Sequence, residues 1–290
     1  VVSPSPHIRR PVTTQKVMLA VIAALLPAMV ASGIIFGGRA ILVIGTSIVT
    51  SVMWEYLSRI FMKRKQTISD MSAVLTGILL AFNLPVTIPL WMVAIGSFVA
   101  IVIVKQMFGG LGHNFANPAI VARIVLMVSF ASEMTNWVKP FYYKGTVDMV
   151  SSATPLVSNS ASYKSLFLGT VGGCLGETSA LALLIGGLFL VFIKVISPSA
   201  PLTFIATVGA LSWISGGDPI YQMLSGGLIL GAVFMATDYV TTPITTKGKL
   251  IFGFGCGLIT FAIRQWGNMP EGVSFSILLM NIVTPYIDMF

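Results

Sequence analysis

The sequence predicts an all-α integral membrane protein with about ten transmembrane helices in two inverted five-helix repeats. Hydrophobic residues make up 56% of the chain and charged residues only 9%, whereas soluble domains carry about 25% charged residues. The apolar residues form runs long enough to cross a bilayer, and the basic residues lie between those runs. The net charge of +8 is therefore typical of membrane-flanking residues and does not indicate nucleic-acid binding.

Apolar runs that approach the length of about 20 residues needed for one crossing occur along the whole chain. The candidate spans cover residues 17–36, 41–61, 71–84, 88–104, 116–130, 180–196, 202–214, 221–236, 250–265 and 273–287. The runs that start at Met71 and Leu202 are short or interrupted by Gly and Pro. We expect broken helices there, with protein or a cavity around their free backbone groups.

The distribution of Lys and Arg predicts a cytoplasmic N-terminus, because the larger basic clusters then all lie on the cytoplasmic side. This orientation places the longest polar stretch on the outer face. The predicted organisation is a cytoplasmic segment 1–16, a first half 17–131, an extracytoplasmic loop 132–165 and a second half 166–290.

Two pairs of similar segments predict the internal repeat. Lys105-Gln106 ends the fourth span and Arg264-Gln265 ends the ninth. Asp70 precedes the run 74–77 as Asp218 precedes the run 223–226. Each half would hold five spans, an odd number, so the repeat must be inverted, as in many transporters.

The segment 148–156 is the most informative part of the outer loop. Taken alone, it is a small polar loop of a kind that often carries function, or a turn in which Ser and Thr cap local structure. Its residues Asp148, Ser151, Ser152, Ala153 and Thr154 resemble the Asp-x-x-Ser/Thr-Gly/Ser-Ala-Thr motif of a family of flavin-carrying membrane proteins. This family includes the D-type component of the Rnf complex and the B-type component of the sodium-pumping NADH:quinone oxidoreductase.

The resemblance implies that Thr154 carries FMN through a phosphoester bond. A threonine hydroxyl is a weak nucleophile, and the family relies on a separate metal-dependent flavin transferase. The small residues Ser151, Ser152 and Ala153 would give that enzyme access. Thr154 would be an anchor that keeps the flavin near its redox partners, and no catalytic or metal-binding residue is predicted in the chain.

A second segment, 109–119, resembles the family's Gly-Gly-x-Gly-x-Asn-x-x-Asn-Pro-Ala run. The resemblance implies that Asn114 and Asn117 contact a noncovalent riboflavin, with Gly110 and Gly112 allowing close approach of the backbone. The alternative is a Gly-rich helix break in which Asn117 caps the helix that begins at Pro118.

Ionisable residues inside spans are costly and indicate partners or function. Glu55 and Arg59 are four residues apart and are expected to pair. Arg123 is expected to meet a flavin or a carboxylate, so we include it among the cofactor-binding candidates. Asp238 either serves a coupling-ion path or caps the end of its helix. The two cysteines, Cys174 and Cys256, are expected to be small apolar residues.

By resemblance, the chain is the flavin-bearing membrane component of an Rnf-type complex in the bacterial inner membrane. Such a complex passes electrons between reduced ferredoxin and NAD⁺ and couples them to Na⁺ or H⁺ transport. The implied partners are membrane and peripheral subunits with iron–sulfur clusters and flavins, the flavin transferase and lipid. The D-type component of Rnf is the closer match, because the chain lacks the longer N-terminal region of the quinone-reducing relative.

Two rival functions remain open at this point. Inverted five-helix halves with short helices also resemble urea and ammonium channels, which have no redox cofactor. The other possibility is a structural scaffold for other redox subunits, with its flavin motif mutated or unoccupied. Bound flavin would separate the redox function from both rivals.

Overall fold

The computed structural model describes residues 13–144, 156, 161–267 and 272–289, and its regular structure is helical. The helices are α1 Thr14–Phe36, α2 Gly38–Phe61, α3 Ser72–Phe82, α4 Leu90–Phe98, α5 Pro118–Ser129, α6 Ala131–Met134, α7 Tyr163–Leu168, α8 Ala180–Phe192, α9 Ser199–Ile214, α10 Pro219–Leu224, α11 Leu228–Leu230, α12 Thr246–Trp266 and α13 Val273–Ile287. Two of them continue as π-helix: α4 through Val99–Gln106 and α11 through Gly231–Met235.

The hydropathy of the helices agrees with a membrane protein. Within the described ranges, α1, α2 and α12 are long and apolar enough to cross a bilayer. Six further apolar helices are shorter: α3, α4 with its π segment, α5, α8, α9 and α13. The chain is therefore a mostly helical protein with several helices suited to a membrane.

Helix boundaries follow local capping signals. The helix α1 begins at Thr14, three residues before the predicted span, because the Thr13 hydroxyl accepts a hydrogen bond from Lys16 N and so caps the first turn. The predicted span 221–236 is interrupted between α10 and α11, where Gly226 has a φ of +65°. Only glycine adopts this conformation readily, so the Ser-Gly-Gly sequence ends one helix before the next begins.

Two short helices, α3 and α11 with its π segment, end against each other inside the bundle. Asn83 follows the last residue of α3, and its Nδ2 lies 3.6 Å from Met235 Sδ at the end of the α11 π segment. Backbone N–H groups of Leu175 and Gly176 donate to the carbonyl groups of Leu84 and Phe82, both at 3.0 Å. This turn satisfies carbonyl groups that a broken helix leaves open.

Glycines allow the closest helix contacts. A Cβ on Gly77 of α3 would lie 2.9 Å from the Ser47 carbonyl oxygen of α2, and one on Gly253 of α12 would lie 2.6 Å from the Ala200 carbonyl oxygen of α9. Small residues at such crossings are typical of membrane helices. The core around them includes fully buried Phe36, Phe82, Phe204 and Phe252.

Candidate functional site

A cavity between α1, α3, the π segment of α4 and the loop after α11 holds about 790 Å³ of empty space, including its open mouth. Its walls are mostly apolar, with Val17, Leu75, Leu79, Leu190 and Phe234 among them. Its polar lining is Ser72, Thr76, Lys105, Asn114, Asn117, Thr237 and Asp238. Apolar walls with a few convergent polar groups are typical of small-molecule sites.

Asn117 lies in this cavity lining and also caps α5. Its Oδ1 accepts a hydrogen bond from Ala119 N at 3.1 Å, and Pro118 is the first residue of the helix. Its Nδ2 donates to Met235 O at 3.4 Å. The predicted helix cap is confirmed, while the amide still faces the cavity.

Asn114 and Asp238 meet across the cavity. The Asn114 amide donates to Ala116 O at 3.0 Å and interacts with the Asp238 carboxyl. Asp238 also accepts from Val240 N at 3.4 Å and from the Thr241 hydroxyl at 3.3 Å, as a residue that caps the turn after a helix does. Desolvation raises the pKa of the Asp238 carboxyl, because burial disfavours the charged form.

The glycines of the same loop make the predicted helix break. Gly110 and Gly112 have φ angles of +104° and +91°, a region that favours glycine. A Cβ on Gly110 would lie 2.6 Å from Arg59 Nη2. The backbone of Gly110 therefore lies close to the Arg59 side chain. Leu111 between them lines the cavity. The two glycines shape the loop that carries Asn114.

The expected pair of Glu55 with Arg59 is wrong. Lys105 Nζ lies 2.9 Å from Glu55 Oε2, and the relative exposures of these side chains are 3% and 0%. Arg59 instead donates to Lys65 O at 3.4 Å. The π segment of α4 ends at Gln106 and brings Lys105 onto Glu55. A glutamate inside a span requires a cation, but the sequence alone does not select between Arg59 and Lys105.

The buried pair belongs to a hydrogen-bond network beside the cavity. Glu55 also accepts from the Thr67 hydroxyl at 2.8 Å and from Gln106 Nε2 at 3.1 Å. Lys105 donates to the Ser72 hydroxyl at 2.6 Å. Lys105 and Ser72 both line the cavity, so this network gives the cavity wall a fixed ammonium group.

A second buried charged cluster surrounds Arg123, which does not line this cavity. Arg123 Nη1 donates to Asn83 Oδ1 at 2.6 Å, and Nη2 lies 3.5 Å from Cys174 Sγ. The carboxylate of Glu177 attracts Arg123 electrostatically, and its Oε1 accepts from Cys174 N at 3.0 Å. Glu177 is thus a carboxylate near Arg123, while a contact between Arg123 and a flavin stays a prediction. Glu177 lies in a predicted loop, and no sequence signal marked it as buried.

The predicted flavin-attachment residues lie outside the described residues. These are Asp148, Ser151, Ser152, Ala153 and Thr154. C-terminal to them, Leu156 and the chain from residue 161 are described, and they contact the segment from Asp218 to Gly226. Leu156 reaches Gly226, a hydrogen bond joins the Ala161 backbone to the Tyr221 side chain, and the Tyr163 hydroxyl donates to Asp218.

Comparison with known proteins gives one consistent result. The model of the NQR2, RnfD, RnfE family matches residues 1–290. The chain is 47% identical over 298 aligned residues to the D-type component of the Na(+)-translocating ferredoxin:NAD(+) oxidoreductase complex of Acetobacterium woodii, covering 100% of this chain and 92% of the relative.

Two further relatives are similar over nearly their whole length. The D-type component of the proton-translocating ferredoxin:NAD(+) oxidoreductase complex of Clostridium ljungdahlii is 46% identical, with 100% of this chain and 93% of the relative covered. The D-type component of the ion-translocating oxidoreductase complex of Stutzerimonas stutzeri is 38% identical, with 95% and 90% covered.

Proposed function

Because this chain belongs to the NQR2, RnfD, RnfE family, we propose that it is the D-type membrane component of an ion-translocating ferredoxin:NAD⁺ oxidoreductase complex. The observation that carries this proposal is full-length similarity to proteins named for that activity, at 47% and 46% identity. The channel rival is not favoured, since the relatives are named as parts of an oxidoreductase. The names include both Na⁺ and proton translocation, so family membership leaves both ions as candidates.

We further propose that Thr154 carries FMN as a phosphoester. The described residues near the motif fit such a group, because Leu156 and the cationic Arg264 both approach the backbone at Gly226, where a Cβ would lie 2.8 Å from Leu156 Cδ1 and 3.1 Å from Arg264 Nη2. A phosphate ester needs cationic or N–H donors nearby, and Arg264 supplies a guanidinium. When bound, the flavin supplies electron-carrying chemistry. The role of the chain is to anchor it and to hold its charge.

The cavity lined by Asn114 and Asn117 is the proposed riboflavin site. Asn114 and Asn117 would meet polar edges of an isoalloxazine ring, and the apolar walls would cover its faces. The Lys105 ammonium, fixed by Glu55 and Ser72, would stabilise negative charge in the cavity. Gly110 and Gly112 would act indirectly, through the shape of the loop.

We propose about ten membrane crossings in two inverted halves. Three local similarities support the repeat. Asp70 and Asp218 both accept hydrogen bonds from backbone N–H groups two residues later, those of Ser72 and Ile220. The helix α2 packs on α3 and α4, as α9 packs on α10 and α12. In each half a short helix ends inside the bundle: α3 in the first half, and α11 with its π segment in the second.

In the cell, we place the protein in the bacterial inner membrane, with a cytoplasmic N-terminus and the flavin loop outside. Its partners would be the other membrane and peripheral subunits, lipid and the flavin transferase. The chain would accept electrons from one partner and pass them to another, and the complete reaction would belong to the assembled complex.

In-gel flavin fluorescence tests the covalent flavin directly. The protein is produced in a host that supplies the flavin transferase, denatured, and compared with Thr154→Ala and with the control Thr170→Ala. We expect fluorescent bands near 30.9 kDa for the wild type and the control, and a dark band for Thr154→Ala. A dark wild-type band, with the transferase active on another substrate, would contradict the proposed covalent FMN at Thr154.

A further inference from the structure

A second open space, here called the basic groove, lies on the side of the bundle where α9 and α12 begin. It holds about 1330 Å³ of empty space, including its open side. Lys194, which follows α8, and Lys249, in the first turn of α12, both line it. Among the residues that the structure describes, neither lysine side chain makes a hydrogen bond or an ion pair. Two ammonium groups are therefore available to a ligand in the groove.

Two carboxyl groups lie near the groove, and both have acceptor roles elsewhere. Asp238 lines the groove but accepts hydrogen bonds within its own turn, from Val240 N and the Thr241 hydroxyl. Asp288 accepts from Ile244 N at 3.0 Å and does not line the groove. In the described part of the chain, the lining thus has two lysines for one carboxyl group. This excess of positive charge suits an anionic ligand.

The backbone of Lys194 has a conformation that favours glycine. Its φ is +59°, and the helix end is closed by bonds from Lys194 N to Val191 O at 3.0 Å and from Val195 N to Leu190 O at 2.9 Å. Glycine is the usual residue at this point of such a helix end, because a side chain is strained there. A cation also suits the C-terminal end of a helix, a role that would not depend on any ligand. The experiment below separates these two roles.

An apolar furrow runs along α9 and α12 beside the basic groove and holds about 900 Å³ of empty space, including its open side. Its lining is Leu202, Thr203, Ala206, Thr207, Ala210, Leu211, Ile214 and Phe254. The hydroxyl groups of Thr203 and Thr207 donate to Ser199 O and Thr203 O, at 2.8 and 2.7 Å, so the furrow is apolar in effect. From Leu202 to Ile214 the helix rises about 18 Å, close to the depth of about 15 Å of one hydrocarbon leaflet.

The groove and the furrow adjoin along both helices. On α9, Ala200 lines the groove and Leu202 lines the furrow. On α12, Lys249 lines the groove and Phe254 lines the furrow. Between them, a Cβ on Gly253 would lie 2.6 Å from Ala200 O, so the two helices are in close contact there. A ligand with a charged end and a long apolar end matches this succession of surfaces.

We propose that the basic groove and the furrow together bind one anionic phospholipid. Lys194 and Lys249 bind its phosphate-bearing headgroup, and an acyl chain lies along the furrow. Basic pockets at the cytoplasmic ends of membrane helices are typical sites for such headgroups. The proposed orientation places the groove on the cytoplasmic side, so the lipid belongs to the inner leaflet; the binding itself does not depend on the proposed redox function.

Native mass spectrometry of the full chain in detergent, titrated with dioleoylphosphatidylglycerol after removal of lipid, measures the dissociation constant. Each lysine near a headgroup contributes about fivefold in affinity. We expect that loss in Lys194→Gln and in Lys249→Gln, and a loss of about thirtyfold in the double variant. Dioleoylphosphatidylcholine, which has no net charge, should bind the wild type no more tightly than phosphatidylglycerol binds the double variant.

Lys65→Gln is the matched control. Lys65 is exposed and lies on the same predicted side of the membrane, but it does not line the groove. We expect wild-type affinity for this variant. Lys194→Gly guards against misfolding, because glycine suits the φ of +59° while the cation is lost, and its affinity should fall as in Lys194→Gln.

Four results would each overturn the proposal. These are equal affinity of the wild type for the two lipids, wild-type affinity in both Lys194→Gly and Lys249→Gln, an equal fall in Lys65→Gln, and binding of sn-glycerol 3-phosphate as tight as that of phosphatidylglycerol. The last result would assign the lysines to a free phosphate, because that probe has the headgroup chemistry without acyl chains. A role of Lys194 confined to the helix end would give the second result.

Discussion

Lys105 Nζ lies 2.9 Å from Glu55 Oε2, and this ion pair is almost fully buried where the π segment of α4 meets α2. Both ions retain further hydrogen-bond partners in Ser72, Thr67 and Gln106. Removal of one partner from such a pair leaves an uncompensated charge, which is more damaging than removal of both.

The variant Lys105→Met should therefore be strongly destabilised. We expect a loss of about 3–5 kcal/mol in the free energy of unfolding, measured by denaturant titration in detergent micelles. The exposed residue Lys65 provides the control Lys65→Met, for which we expect little change. The double variant Lys105→Met with Glu55→Leu should recover much of the loss. A single variant as stable as the control would show that the pair contributes nothing.

Asn117 has two separable roles, helix capping and cavity lining, and substitution can distinguish them. Serine caps a helix about as well as asparagine does, whereas alanine costs about 1 kcal/mol. Asn117→Ser should thus retain the stability that Asn117→Ala loses, as measured by thermal unfolding. Both variants lack the amide, so both should lose noncovalent flavin, quantified by chromatography after acid extraction. Wild-type riboflavin content in both variants would remove Asn117 from the flavin site.

The sequence predicted helices well where the apolar run itself determines the structure. The span predicted at 273–287 coincides with α13, and the other long runs differ from their helices by a few residues at the ends. The break at Gly226 and the π segment that ends at Gln106 were not predicted. Both depend on contacts with distant residues, Arg264 and Glu55, which local hydropathy does not encode.

The candidate site was predicted only in part, because it too depends on contacts between residues that are distant in sequence. Asn114, Asn117 and Asp238 line one cavity, although Asp238 lies more than a hundred residues after the two asparagines in sequence. The resemblance had marked only the two asparagines. Glu177 was missed, because a glutamate among Gly, Cys and Thr is typical of a surface loop. Its burial follows from the hydrogen bonds that join its segment to the end of α3.

Asp238 should make stability depend on pH. Desolvation raises the pKa of its carboxyl in the folded state, so the unfolded chain releases this proton at lower pH than the folded chain does. The associated stability is fully present below the ordinary pKa of about 3.9 and is lost as pH rises through the folded-state value. Relative to Asp238→Asn, the melting temperature of the wild type should fall as the pH rises from 4 to 8.

Melting temperatures of both proteins across this pH range provide the measurement. Asp288→Asn is the control, because Asp288 is exposed and likewise accepts a backbone hydrogen bond, from Ile244 N at 3.0 Å. A constant difference between wild type and Asp238→Asn would indicate that Asp238 titrates alike in the folded and unfolded chains.

Two glycines should respond in opposite directions to replacement by alanine. A Cβ on Gly176 would overlap the ring of Phe82, which is fully buried, and Gly176 N donates to Phe82 O at 3.0 Å. Overpacking of this kind costs about 1–3 kcal/mol or more. A Cβ on Gly45, inside α2, would meet no atom of the described residues within 4 Å. Alanine there should stabilise the helix by up to about 1 kcal/mol.

Thermal unfolding of Gly176→Ala and Gly45→Ala in the same detergent tests this pair. Because Gly176 precedes Glu177, the destabilisation should include disturbance of the cluster of Glu177 and Arg123, to which Glu177 is electrostatically attracted. If Gly176→Ala melts as the wild type does, the turn against α3 must be able to move away from Phe82, and the close packing there does not hold the cluster in place.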